Sequence, residues 1–224
     1  MSSSSTSLTN TPYLSSPPPL SAILENTIPT AFSKEYLSKG LQSHKEPLVI
    51  HYTAIALVKI ISKFEAVQKA FKVVEDALEE TNENGLWRRR RVEAEAHVRR
   101  RVPEYQVIVA LVQKYAPSSP LGGSDTPELS AEPSLHTLGL ASTLTEVALR
   151  LMWLYHRSLS ELVTETRFDA GKLLHYIPSP LVETSASLHE GTNLQSQLHI
   201  LGLLEESGQF GWSSKFGATL TLTH

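Results

Sequence analysis

Cysteine is absent from this 224-residue chain, and with it go disulfides, thiolate catalysis and Cys-ligated zinc. Aspartate is nearly absent too. Asp76, Asp125 and Asp169 are the only three, poor material for magnesium-assisted phosphoryl transfer. The nine histidines make no His-x-x-x-His or Glu-x-x-His metal pair. His51 and His156 each lie beside a tyrosine and read as partly buried helix residues. Gly122-Gly123 precede Ser124-Asp125 with no lysine following, which rules out a Walker-type phosphate loop. Gly211-Trp212-Ser213-Ser214-Lys215 has lysine where a nucleophile elbow needs its second glycine. These absences point away from an enzyme, and no cofactor, metal or small-molecule substrate is expected.

Long apolar runs are missing as well. Lys59, Lys63 and Glu65 interrupt the best candidate for a membrane span, so no membrane partner is expected. The first 19 residues are rich in Ser, Thr and Pro, with Leu8, Tyr13 and Leu14 as their large apolar residues. Such a stretch buries too little surface to offset its ordering entropy, and it lacks the basic and apolar regions of a signal peptide. Residues 1–33 are therefore read as a disordered tail. Five Ser/Thr-Pro pairs, at Thr11, Ser16, Ser119, Thr126 and Ser179, fall in expected loops, as is common in Ser/Pro-rich sequence.

What is present is helix. Lys34–Gln42 forms a short candidate helix, and Pro47 suits the first turn of the next, where its missing N–H costs nothing. Thr53, Leu57, Ile60, Phe64, Val67, Phe71, Val74 and Leu78 then alternate spacings of four and three, a seam of almost four heptads. Gly85 is expected to end that helix as a left-handed cap. An Arg-rich helix follows, and Pro103 closes it. The next helix, to Tyr115, is apolar on nearly every side and so should be buried between neighbours. Proline and glycine crowd residues 116–134 into a loop. Leu140, Leu144, Val147, Leu151 and Leu154 mark another helix, a further one is expected from about Ser160 to Tyr176, and the last carries Leu198, Leu201 and Leu204. The fold class is all-α. Serial helices on short turns suggest an α-solenoid of HEAT/armadillo type over residues 34–224, divided into 34–115, a loop at 116–136, and 137–224.

Charge is distributed unevenly. The stretch Trp87 to Arg101 holds seven arginines against Glu93 and Glu95, while the whole chain carries a net −3. Arg88, Arg89, Arg90 and Arg91 form one cluster, and Arg99, Arg100 and Arg101 the other. The clusters begin about three helical turns apart, so Arg88/Arg99, Arg89/Arg100 and Arg90/Arg101 share stripes roughly 16 Å long. All seven are candidate nucleic-acid-binding residues, since a cationic surface of this kind suits a polyanion. Two other readings fit. One is a nuclear or nucleolar targeting patch. The other is a solvated or acidic-protein-docking face, braced by the i,i+4 pairs Arg89–Glu93, Arg91–Glu95 and Glu95–Arg99.

Three blocks carry a family resemblance through their order along the chain. The first is His44-Lys-Glu-Pro-Leu-Val-Ile-His-Tyr-Thr-Ala-Ile-Ala-Leu-Val-Lys59, and the second Arg99-Arg-Arg-Val-Pro-Glu-Tyr-Gln-Val-Ile-Val-Ala110. The third is Leu151-Met-Trp-Leu-Tyr-His-Arg157 with Arg167-Phe-Asp-Ala-Gly-Lys-Leu173 and Gln209-Phe-Gly-Trp212. Together they resemble the N-terminal region of the fungal nucleolar pre-ribosomal-associated protein family. The resemblance implies a non-catalytic scaffold in early assembly of the large ribosomal subunit (the pre-60S particle), located in the nucleus and nucleolus. It implies pre-ribosomal RNA, small nucleolar RNA particles and other ribosome assembly factors as partners. Family members are many times longer, so it also implies that this chain is a fragment of a longer solenoid. The competing expectation is a helical adaptor unrelated to ribosomes. Its seam from Leu57 to Leu78 would pair with a partner helix, and its Arg face would dock on an acidic protein.

Overall fold

The computed structural model describes residues 16–42, 45–80, 85–115, 135–166, 168–176 and 190–207. These form α1 (Leu20–Thr27), α2 (Lys34–Gln42), α3 (Pro47–Ala77), α4 (Leu86–Arg101) and α5 (Tyr105–Tyr115). Then come α6 (Leu135–Ser158), the five-residue α7 (Ser160–Thr164), a 3₁₀ turn (Ala170–Tyr176) and α8 (Glu190–Ser207). No strand occurs among the described residues. The expected loop at 116–134 lies outside them.

The long seam holds. α3 begins at Pro47 and buries Thr53, Leu57, Ile60, Phe64, Phe71 and Val74, with Val67 and Leu78 partly buried. Ala54, Val58 and Ile61 are buried as well, because α3 packs against α2, α4 and α6 rather than one partner. By length and composition alone α3 is apolar enough to cross a bilayer, so the expectation that no stretch reaches that length fails for this helix. Lys59 and Lys63 lie exposed on its outer side while its apolar stripe builds the core. Most of the seam from Leu57 to Leu78 is thus packed within the chain, with Val67 and Leu78 only partly covered.

The end of α3 shows a different device from the one expected. Gly85 has φ −54°, in the ordinary right-hand half of backbone space. Glu79 takes the left-handed conformation instead, at φ 53°. The Glu80 N–H donates to the Glu75 carbonyl at 3.0 Å and the Glu79 N–H to that of Asp76 at 3.2 Å, a Schellman closure built on a non-glycine residue. A Cβ at Gly85 would lie 2.3 Å from Glu80 Oε2, so any side chain there would displace the Glu80 carboxylate. That carboxylate accepts from the Trp87 N–H at 3.1 and 3.3 Å and from the Arg88 N–H at 3.3 Å. It thus serves orphan donors at the start of α4, which Gly85 has no side chain to reach.

Two cores result. The larger joins α2, α3, α5, α6 and α8, with α6 at its centre. Tyr155 donates to the Pro103 carbonyl at 2.9 Å, and the Tyr105 hydroxyl pairs with His156 Nε2 at 2.9 Å. The smaller sets Ile23, Phe71, Val74, Trp87 and Ala94 together, with Phe71 and Trp87 edge to face at 5.1 Å.

Two further expectations are corrected, and the inward face of α8 is defined. The disordered tail expected at residues 1–33 does not extend over α1, which buries Ile23 and Thr27, nor over the fully buried Ile28, while residues 1–15 lie outside the described residues. The helix expected from Ser160 to Tyr176 breaks after Thr164, where Thr and Asp residues compete with helical bonding; Asp169 Oδ1 accepts from the Gly171 N–H at 3.0 Å. α8 turns Ile200, Leu203 and Leu204 inward, and leaves Leu194, Leu198 and Leu201 exposed at 58, 55 and 44%.

Candidate functional site

The arginine helix α4 buries one narrow stripe of Trp87, Ala94 and Val98, which sit on the same side at heptad-like spacing. Every arginine is placed by its angle from that stripe. Arg91 lies beside it and reaches Glu75 of α3, with Nε to Oε1 at 2.7 Å and Nη2 to Oε2 at 3.1 Å. This two-pronged pair is mostly buried, the side chains being 18% and 10% exposed. The bond to Glu75 holds the Arg91 guanidinium pKa above its ordinary value, against the opposing effect of burial.

Arg101, at the last turn, donates to the carbonyls of Pro29 at 3.0 Å and Phe32 at 3.4 Å, tying down the segment after α1. Arg99 is ion-paired with Glu161 of α7. Arg90 pairs with Glu93 at 3.5 Å. The Arg88 side chain lines a cleft of about 580 Å³ shared with Glu75, Asp76, Glu79, Glu80 and Arg91. Only Arg89 and Arg100 are both exposed and without an ion-pair partner among the described residues.

The structure therefore divides what the sequence grouped. Of the three matched stripes, Arg89/Arg100 stays free at both ends, with the exposed Glu93 between them. Arg88/Arg99 and Arg90/Arg101 each have one member engaged elsewhere in the fold. None of the expected i,i+4 pairs closes as an ion pair among the described residues. Glu95 accepts from Gln68 Nε2 at 3.3 Å instead, and Arg91 and Arg99 take partners from other helices. Those partners, Glu75 and Glu161, lie too far along the chain for any local pattern to point to them. Glu80 precedes the N-cap Gly85 by several residues, outside the N-cap and N3 positions that capping rules cover, so its role too is visible only in the structure.

A second polar feature adjoins α7. His156 opens on a cleft of about 680 Å³ whose walls include Ser160, Asp169, Lys172 and Glu206. Burial pushes the His156 pKa down to about 4, so the ring is neutral at physiological pH. Burial likewise raises the pKa of its partner Tyr105. A neutral imidazole bonded to a protonated phenol is a packing contact as much as a reactive pair. Among the described residues no three His, Asp or Glu side chains are grouped to hold a metal ion.

No protein-family model, curated protein or solved structure matches this chain.

Proposed function

We propose that the chain is a non-catalytic scaffold of early large-ribosomal-subunit assembly, acting in the nucleolus and built as part of a HEAT/armadillo-type solenoid. The order of the three sequence blocks supports the ribosomal reading, and an all-α architecture without strands among the described residues is compatible with the solenoid. One observation carries the RNA part. Arg89 and Arg100 stand exposed and unpaired on α4, with Arg88 nearby, while Arg91, Arg99 and Arg101 are engaged in holding the fold together. Unpaired cations along one helix can neutralise phosphates without reading base sequence.

The test is sedimentation of nuclear extract. A scaffold of this kind travels with large RNA-containing particles, and nuclease releases it. Sedimentation as a free protein, or with a complex that nuclease leaves intact, would instead favour the adaptor. With most of its α3 seam packed within the chain, an adaptor would have to use another surface.

A further inference from the structure

We infer that the trough between α3 and α6 is a docking groove for an acidic amphipathic helix of a partner protein. The trough encloses about 660 Å³ and lies apart from α4, so it goes beyond the arginine reading. Its lining on α3 runs from His51 to Ala66 along one side of the helix, roughly 22 Å at the helical rise. That length matches a partner helix of about four turns.

The floor is apolar. Ile55, Val58, Ala66 and Val147 supply it, with Val58 and Val147 buried beneath. The rim is cationic. Lys59 and Arg150 are exposed and unpaired among the described residues, and Lys63 uses one donor on the Asn26 carbonyl at 3.0 Å. An ammonium has three donors, so Lys63 keeps two. The one carboxylate on the trough, Glu146, is committed to His199 Nε2 at 2.9 Å. At the far end the trough is bounded by His51, whose Nδ1 is buried without a hydrogen-bond partner in the protein.

These features select the occupant. An apolar trough between two helices accepts the apolar face of a third, through anchors at i, i+3 or i+4, and i+7. Cations on both walls then favour acids flanking that face, and disfavour bases there. A single strand of RNA is a poorer fit, because the floor offers branched aliphatics where bases need aromatic platforms.

The experiment is a selection from a displayed library of helical 15-residue peptides on the full chain, followed by fluorescence anisotropy with the enriched peptides. The companion variant is Lys59→Glu/Arg150→Glu, whose sites are exposed and unpaired; circular dichroism checks that its helix content is retained. The expected result is enrichment of peptides with Glu or Asp beside an i, i+3/i+4, i+7 apolar set. They should bind the variant at least tenfold more weakly, and replacing their acids by Lys should reverse the preference. Binding should also weaken in high salt. The inference is overturned if nothing is enriched, if basic or neutral peptides are enriched, or if the variant binds the selected peptides equally well. It is also overturned if phosphatidylserine vesicles bind in a variant-sensitive way while peptides do not. Sedimentation with RNA particles reads the ribosomal proposal separately, so either can fail alone.

Discussion

Arg91 and Glu75 hold α4 to the C-terminal end of α3 by two parallel hydrogen bonds, at 2.7 and 3.1 Å. Removing one partner strands the other, and Glu75 is 8% exposed. Arg91→Ala should therefore cost about 3 kcal/mol. Arg91→Lys should also destabilise, since an ammonium cannot supply the fork. The double change Arg91→Met/Glu75→Leu should recover most of the loss. Urea denaturation of the four proteins checks this, and a loss below about 1 kcal/mol for Arg91→Ala would place the pair among ordinary surface ion pairs.

The exposed Arg89 and Arg100, with the half-buried Arg88 beside them, should behave in the opposite way. If Arg88, Arg89 and Arg100 each neutralise one phosphate, log affinity for single-stranded RNA should fall with log salt at a slope near −2. Replacing the three with Ser should flatten that slope for unrelated sequences alike and leave the thermal midpoint nearly unchanged. Lys in their place should retain much of the binding, as a point charge suffices for a phosphate. Titrations at several salt concentrations decide it. An unchanged slope in the Ser variant would remove phosphate contact as the role of the cluster.

Glu79 bears a left-handed backbone at φ 53°, a conformation that costs a side-chain-bearing residue about 1–2 kcal/mol. Glu79→Gly relieves that cost, less what glycine adds to the freedom of the unfolded chain. A net gain of up to about 1 kcal/mol is expected, or a rise in Tm of about 2–4 °C. Glu79→Ala should give no such gain. Thermal melts of both variants distinguish relief of strain from loss of a charge in the acidic cleft.

His156 makes stability depend on acid. Its folded pKa is about 4 against an ordinary 6.5. Above pH 6.5 both states are neutral at this ring and it contributes no slope. As pH falls, the unfolded chain takes the proton first, so stability declines between about 6.5 and 4 and levels off below. Discounted for partial exposure, the loss is about 1–2 kcal/mol. His156→Gln should remove this part of the pH dependence. Parallel profiles for variant and wild type across that window would show that the ring titrates normally.

Local rules reached those parts of the fold where neighbours in sequence decide the outcome. Pro47 opening α3, the 4-3 seam, the burial of the apolar residues of α5 and the stop at Pro103 are all legible, because each rests on backbone chemistry or on one helix's periodicity. The inward face of α8 is not legible locally, since Leu198, Leu201 and Leu204 and the set Ile200, Leu203 and Leu204 are both apolar at helical spacing. Which set turns inward depends on α6, through contacts such as His199 to Glu146.

The candidate site divides along the same line. The sequence by itself determined that seven arginines would share one helix and that three stripes would run along it. Only tertiary structure decided which of them remain outward. Arg91, Arg99 and Arg101 found Glu75, Glu161 and the Pro29 carbonyl on segments far away in the chain. A helix periodicity specifies angles around its own axis. The partner at each angle is set by how whole helices pack, through burial and charge pairing summed over residues that no local window contains.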